Sequence, residues 1–451
     1  MSNKIRPLPV ALVCLFLLSL LPITGLAGAL HNPPLPIEPA SLYGVEMVSV
    51  DSSSISLAEA AGMQWVRRNG VKWDEIEAVE GVYDWELMAG LEQEMILLSD
   101  QGMQLILIVR GVPEWARTPD GFVCGPIAQK KFKAFANFMR ALVSRYSQPP
   151  YNVRYWELGN EPDAPTSPYL TQYGCWGDPD DPYYGGEYYG EMLKVVYKRI
   201  KSADSNAQVL IGGLLLDCDP NNPPLVNGEL KDCSSAYFLE GILRAGAGSS
   251  FDAVSYHSYD YYGYPGFYAN LNWGGFSGTT GPILDLKADL IRATLAQFKL
   301  ANKPLFNTET ALLCDASPEC QTTQAYYAAH SYVDAHKTGV VNSIWYSLTD
   351  DWRYTNLVSG GAPKPAYTAI QASSHILGQA RYVQQLGSEP GLAIFEFTRE
   401  GHTVWALWSQ DGAAHTVTLD SLPTSAWNVY GDPLVPALEL SVSLEPLYLE
   451  W

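Results

Sequence analysis

The sequence predicts an α/β fold: a closed (β/α)8 TIM barrel with a small C-terminal antiparallel, β-sandwich-like domain. Three observations carry this prediction. Eight short apolar runs suited to strands recur between residues 42 and 378. Segments with helical spacing of apolar residues separate them, and regular strand–helix alternation is the pattern of a parallel sheet. Past Gly378 the helical spacing stops, and short strand-like runs divided by turns take over. An open doubly wound sheet would share the alternation, but no Gly-rich phosphate loop follows the first run.

The elements follow in order. Residues 1–29 read as a signal peptide: Lys4 and Arg6, an apolar run from Val10 to Ile23, then the small residues Ala27, Gly28 and Ala29. The run is shorter than the ~20 residues of a membrane span. Residues 30–41 form a Pro-rich lead-in, and residues 42–378 hold the barrel. Its strand candidates are 43–48, 64–68, 104–109, 153–158, 208–213, 251–256, 303–308 and 340–346. The run 104–109 is the clearest, because a short continuous apolar stretch between glycines suits a strand buried on both faces. Helical spacing marks 85–100, 129–146, 187–203, 236–245, 284–299, 322–337 and 366–377. Residues 379–451 form the C-terminal domain, with strands expected at 392–397, 403–408, 415–419 and 427–430.

Charge and cysteines narrow the function. In 451 residues, 28 Lys and Arg stand against 48 Asp and Glu, a net charge of -20. That makes nucleic acid a poor partner, since phosphate contacts need clustered cations, and suits a secreted protein handling neutral substrates. After removal of the leader no stable membrane partner is expected. Six cysteines remain, an even set that points to disulfides. Six cysteines allow 15 pairings and the sequence does not fix which forms; nearness favours Cys218–Cys233 and Cys314–Cys320, which leaves Cys124–Cys175. CxxC or His-rich spacing, the mark of a zinc site, is absent.

The chemistry centres on two strand ends. The fourth candidate runs into Gly159-Asn160-Glu161-Pro162, and the seventh into Asn307-Thr308-Glu309. Parallel barrel strands deliver both carboxylates to one rim, where such barrels keep their chemistry. Two carboxyls on one rim can split a glycosidic bond: one, protonated, gives its proton to the leaving oxygen, and the other attacks the anomeric carbon. Each Glu taken alone would read as a surface or cap residue; the pairing gives the functional reading.

At these residues the chain resembles the clan A glycoside hydrolases, nearest to family 39 and family 5-like proteins. The match rests on Trp65-Val66-Arg67, Trp73, Glu80-Gly81-Val82-Tyr83-Asp84-Trp85, Gly111-Val112-Pro113-Glu114-Trp115, the Asn160-Glu161-Pro162 element, Tyr256-His257-Ser258-Tyr259 and Thr308-Glu309. The resemblance implies a retaining enzyme for β-glycosidic bonds of oligo- or polysaccharides, with Glu161 as acid/base and Glu309 as nucleophile. It implies that Asn160 meets the sugar 2-hydroxyl, that Arg67 stands beside Glu309, and that His257 and Tyr259 touch sugar and nucleophile. Trp73 joins the substrate-binding set, and Trp345 or Tyr346 floors the subsite of the cleaved sugar. Strand alternation turns Arg68 away from Arg67.

No cofactor or metal is expected, since both reacting groups are side chains. Two aromatic-rich loops, 169–189 and 256–276, read as walls of sugar subsites or as packing. Asp178, Asp180 and Asp181, with Asp217, Asp219, Asn221 and Asn222, read as turn and cap residues rather than calcium ligands. The rival function is a carbohydrate-binding barrel without turnover. Sugar identity, exo or endo action and oligomeric state are not encoded in these patterns.

Overall fold

A computed structural model describes residues 41–169, 172–274, 281–387 and 390–451. The expected signal peptide and nearly all of the lead-in lie outside them, as does Phe276 of the second aromatic loop. Among the described residues eight parallel strands close on themselves: β1 (Tyr43–Glu46), β2 (Trp65–Lys72), β3 (Gln104–Arg110), β4 (Tyr155–Asn160), β5 (Gln208–Leu214), β6 (Ala253–Tyr264), β7 (Leu305–Leu313) and β8 (Ser343–Trp345). Each pairs in parallel with the next, β5 bonds β6, and β8 returns to β1. The fold is the expected (β/α)8 barrel.

Each strand is followed by one principal helix: α1 (Ser52–Ala60), α2 (Ala89–Asp100), α3 (Phe132–Tyr146), α4 (Gly186–Ala203), α5 (Phe238–Arg244), α6 (Leu284–Gln297), α7 (Pro318–Thr338) and α8 (Pro365–Leu377). Sequence spacing missed α1. Its first turn is three serines, poor helix formers, but Asp51 caps it by accepting from Ser54 N–H at 2.7 Å. The Ser54 side chain answers by accepting from Asp51 N–H at 2.8 Å, a reciprocal cap that starts the helix.

Alternation along the strands builds the interior in layers. At the bottom Trp65, Tyr155 and Phe306 meet edge-on, with ring centroids 4.9 and 5.8 Å from Trp65. Gly44 makes room there, for a Cβ would fall 2.4 Å from Ile344 Cδ1 and 2.7 Å from Trp65 Cβ. Two residues along, the same strands present Arg67, Glu157 and Thr308. Intervening residues such as Val66, Leu107 and Trp156 face outward into the helical core. Arg68 turns outward too, bonding Glu94 on α2 at 2.6 Å.

The C-terminal segment forms a five-stranded antiparallel sheet, β9 (Arg381–Gln385), β10 (Leu392–Arg399), β11 (His402–Ser409), β15 (Leu447–Glu450) and β13 (Ser425–Trp427) in spatial order. A two-stranded sheet, β12 (His415–Thr418) with β14 (Glu439–Val442), completes the sandwich. One face, with Phe395, Phe397, Val404 and Trp408, shares a core with Val333 of α7 and Ile376 and Leu377 of α8. The other, with Leu407 and Leu449, packs against Leu419 and Val442. Strands β9, β14 and β15 lie outside the expected set; their sequences mix charged and polar residues into the alternation.

All three disulfides join the cysteines paired from the sequence: Cys124–Cys175, Cys218–Cys233 and Cys314–Cys320, with Cα separations of 5.4, 5.3 and 5.8 Å. Those separations suit the bond. No helix among the described residues is long and apolar enough to cross a membrane.

Candidate active site

The upper rim brings Glu161, Glu309, His257, Tyr259, Arg67 and Asn160 into one hydrogen-bonded cluster. Glu161 directly follows β4. Its φ is +50°, a left-handed conformation of the kind that concentrates at functional sites. Its N–H donates to Gly213 O on β5 at 2.9 Å and its carbonyl accepts from Ala164 N–H at 3.0 Å, which holds that conformation.

Glu309 arrives differently. It is not the end of its strand, since β7 continues to Leu313. Between β6 and β7 the register shifts: Tyr256 opposes Asn307, and His257 opposes Glu309. Thr308 is the extra residue of a bulge. Simple alternation would send Thr308 inward and Glu309 outward. The bulge turns both inward, so Thr308 donates to Glu157 at 3.2 Å while Glu309 reaches Arg67 and Tyr259.

Arg67 organises the charges. Its Nη1 donates to Glu309 Oε1 and, at 2.6 Å, to Glu46 Oε2. Its Nε donates to Glu157 at 2.8 Å and its Nη2 to Asn160 Oδ1 at 2.7 Å. The guanidinium is fully buried. The phenol of Tyr259 donates to the second oxygen of Glu309. Glu157 is satisfied in turn by the Ser255 hydroxyl at 3.0 Å. Glu46 and Glu157 did not stand out in the sequence reading, although an acid inside an apolar strand is itself a signal, because few charges are buried without a partner.

His257 Nδ1 stands 2.7 Å from Glu161 Oε1 and 3.3 Å from Glu309 Oε2. One ligating atom from each of these three residues lies within 4.8 Å of the others. The set has the donors of a metal site, but Arg67 and Tyr259 already donate to both oxygens of Glu309. A cation there would face the guanidinium, so the arrangement suits a hydrogen-bonded carboxyl pair.

The two carboxyls have unlike surroundings. Burial pushes Glu161 well above the usual carboxylate range, and the charge of Glu309 pushes the same way. Burial also raises Glu309, but the charge of Arg67 and the donors Tyr259 and Arg67 oppose it. At an effective dielectric of about 20, two charges ~4 Å apart interact by ~4 kcal/mol. Such a pair favours one shared proton, and the better-solvated charge belongs to Glu309. Burial, with Arg67 and Lys287 nearby, holds His257 well below its ordinary value, hence neutral.

The remaining expected residues divide. Tyr346 faces the site, its ring 6.5 Å from Tyr259 and its hydroxyl donating to Asp350 at 2.9 Å. Trp345 faces the other way: it is fully buried, 6.0 Å from Tyr327 of α7, and donates to Thr355 O at 2.8 Å. Alternation puts Ile344 and Tyr346 inside and Trp345 outside. Trp73 is also fully buried, packed on Phe135 of α3 at 4.7 Å and on Trp115 at 5.5 Å. Neither indole reaches the cluster.

The aromatics of the two long loops divide: Trp176, Tyr184, Tyr189, Tyr268 and Trp273 are buried packing residues, whereas Tyr169, Tyr261 and Tyr264 are exposed. Tyr173 lies beside the acids, its hydroxyl raised by burial and by the charges of Glu161 and Glu309. The acidic turn residues act as turn acceptors: Asp178 takes Asp180 N–H at 3.0 Å, Asp181 takes Tyr183 N–H at 2.7 Å, and Asp219 takes Asn221 N–H at 2.9 Å.

Barrel and rim cluster together define a (β/α)8 protein with a close, inequivalent carboxyl pair. Its fold neighbours among solved structures include glycoside hydrolases. A family 39 glycoside hydrolase from the gut symbiont Bacteroides cellulosilyticus WH2 superposes with TM-score 0.69 at 19% identity, over 92% of this chain and 81% of that one. A family 30 endoxylanase from Clostridium papyrosolvens gives 0.59 at 12% identity, over 91% and 96%. A family 51 α-L-arabinofuranosidase from Bifidobacterium longum gives 0.57 at 14% identity, over 91% and 96%. At these identities the likeness establishes the fold. No protein-family model matches the chain, and no curated protein does.

Proposed function

We propose that this chain is a secreted retaining glycoside hydrolase that cleaves β-glycosidic bonds of oligo- or polysaccharides by double displacement. The observation that carries the reading is the carboxyl pair on one rim, within 4.8 Å at its nearest oxygens and held in unlike surroundings, with Arg67 and Tyr259 donating to Glu309. Carboxyl separations of about 5–5.5 Å belong to retaining enzymes, and about 6.5–9.5 Å to inverting ones that seat a water between them.

In the first step Glu161, kept protonated, gives its proton to the glycosidic oxygen. Glu309, held ionised by Arg67, attacks the anomeric carbon, and the leaving alcohol departs. A glycosyl ester on Glu309 results. Glu161, now a carboxylate, takes a proton from water, which attacks the same carbon from the other face, breaks its bond to Glu309 and releases that carboxylate. Two inversions give net retention. Tyr259 donates to the nucleophile and steadies it, and the neutral His257 orients Glu161. Asn160 is assigned to the sugar 2-hydroxyl and Tyr346 to the wall of the cleaved sugar's subsite. No step calls for a cofactor. The three disulfides support export to an oxidising compartment.

Turnover of a panel of aryl β-glycosides tests the reading, paired with Glu309→Ala and azide. Expected is loss of turnover in the variant, restored by azide with an α-glycosyl azide as product. Wild-type binding to glycans without turnover on any member would instead make this a carbohydrate-binding barrel.

A further inference from the structure

A buried lysine outside the carboxyl cluster closes a circuit around the proposed proton donor. Lys287 lies one turn into α6, near the positive end of the helix dipole, where a cation is disfavoured. It is only 4% exposed, and a lysine is seldom buried without a partner. Its ammonium donates to two main-chain carbonyls, Leu215 O at 2.6 Å and His257 O at 2.9 Å, and stands 5.5 Å from the centre of the Trp273 ring.

Both carbonyls belong to the surroundings of Glu161. His257 is the residue whose Nδ1 stands 2.7 Å from Glu161 Oε1. Leu215 follows β5, and the peptide joining it to Leu216 is gripped at both ends. Lys287 holds its carbonyl, and its N–H donates to Asp163 Oδ2 at 2.8 Å. Asp163, two residues past Glu161, takes the Leu215 N–H as well, at 2.8 Å. Leu216 has a φ of +46°, a conformation that persists only where surrounding structure imposes it. Its own carbonyl accepts the Trp273 indole N–H at 2.7 Å.

The circuit runs from Glu161 along the chain to Asp163, across one peptide to Lys287, on to His257 and back to Glu161. It also accounts for two buried charges. Asp163 is 1% exposed, and the Leu215–Leu216 peptide turns its N–H toward that carboxylate and its C=O toward the ammonium. Each charge thus meets the opposite end of one peptide dipole, and the bonds polarise one another. Burial pushes Lys287 down to about 8, against the pull of Asp163, Glu161, Asp217 and Asp260, which leaves it charged at neutral pH.

We propose that Lys287 is a positioning residue for the proton donor: by holding His257 O and Leu215 O at once, it fixes the imidazole of β6 against the Glu161 corner of β4. This rests on the glycoside hydrolase reading above. Lys287 acts through His257 and not on the sugar.

Loss of the ammonium should blunt proton donation and spare the nucleophile. Lys287→Met is expected to lower kcat/KM by about fivefold for phenyl β-glycosides, whose leaving group needs a proton. For 2,4-dinitrophenyl β-glycosides, whose leaving group needs none, the loss should stay below about twofold. Added to His257→Phe, the substitution should cost less than about twofold on the phenyl substrate, because the residue it acts through is gone. Thermal unfolding midpoints show how much folded enzyme each variant keeps. Equal losses on both substrates, the same loss with and without the His257 imidazole, or no loss on phenyl glycosides would each overturn the proposal. Should Lys287→Met not fold, Lys287→Met with Asp163→Asn removes both buried charges together and carries the test. Selective loss on phenyl glycosides then supports the role, and unselective or absent loss ends it. If wild type turns over no glycoside in the panel, the hydrolase reading falls and the role of Lys287 falls with it; if wild type is active and Lys287→Met matches it, only the Lys287 assignment fails.

Discussion

Gly213 on β5 exists as glycine because His257 on β6 fills the space a side chain would need. A Cβ at Gly213 would lie 2.1 Å from His257 Nε2, closer than any real contact. Gly213 also accepts the Glu161 N–H through its carbonyl. One residue therefore seats the imidazole and the carboxyl that the imidazole orients. Gly213→Ala should destabilise the fold by about 1–3 kcal/mol, the usual cost of overpacking, and lower kcat/KM beyond what stability accounts for. Urea unfolding read beside kinetics checks both parts.

The contact of His257 with Glu161 at 2.7 Å is a neutral imidazole bonded to a carboxyl. Hydrogen bonds between neutral groups contribute about 0.5–1.5 kcal/mol. His257→Phe should therefore lower kcat/KM by roughly 2- to 12-fold for substrates whose leaving group needs protonation. Activated aryl glycosides should lose much less. A Brønsted plot against leaving-group pKa measures the difference.

The pH profile follows from the two carboxyls. Glu161 is raised, so the free enzyme loses its proton donor as pH rises through that value. Glu309 must be ionised, so activity also falls as pH drops through its value, which burial raises against the pull of Arg67 and Tyr259. A bell-shaped kcat/KM is expected. Glu161→Gln, assayed on 2,4-dinitrophenyl glycosides, should lose the alkaline limb and keep the acid one; stopped-flow assays across pH test this.

Arg67 is a single cation among Glu46, Glu157 and Glu309. Removing one partner of a buried ion pair costs about 3–5 kcal/mol, because the others are left unpaired. Arg67→Met should show such a loss and no measurable turnover. Arg67→Lys should recover little, since an ammonium cannot span Glu157, Asn160 and the Nη1 pair at once. Denaturant midpoints and turnover separate the two variants.

Cys124 and Cys175 close a loop with a sequence separation of 51. The chain-entropy account gives such a loop about 4 kcal/mol. Cys124→Ser with Cys175→Ser should lower stability by up to that amount, read by calorimetry. Because this loop borders Pro162 and Asn160 through Gly174, turnover should fall as well.

The barrel was legible because it is written in long-range rhythm: runs such as 104–109 are too apolar and too short for anything but a buried strand. The Asn160-Glu161-Pro162 corner was legible as a local signature. What the sequence hid depends on one-residue offsets. The bulge at Thr308 decides that Glu309 faces inward, and nothing in Asn307-Thr308-Glu309 announces it. The same offset separates Tyr346, which faces the site, from Trp345, which is buried among helices. The two aromatic loops mislead by composition, since a tyrosine that packs a long loop and one that faces a sugar look alike. Helix α1 was hidden by its serines, whose value lies in the cap and not in propensity.

The central claim is that two close carboxyls on one rim act in double displacement. Proton NMR of the anomeric signal during cleavage of the best aryl β-glycoside tests it most directly. The β-hemiacetal should appear first, with the α-anomer growing in only by mutarotation. An α-anomer appearing first would show inversion and contradict the roles given to Glu161 and Glu309.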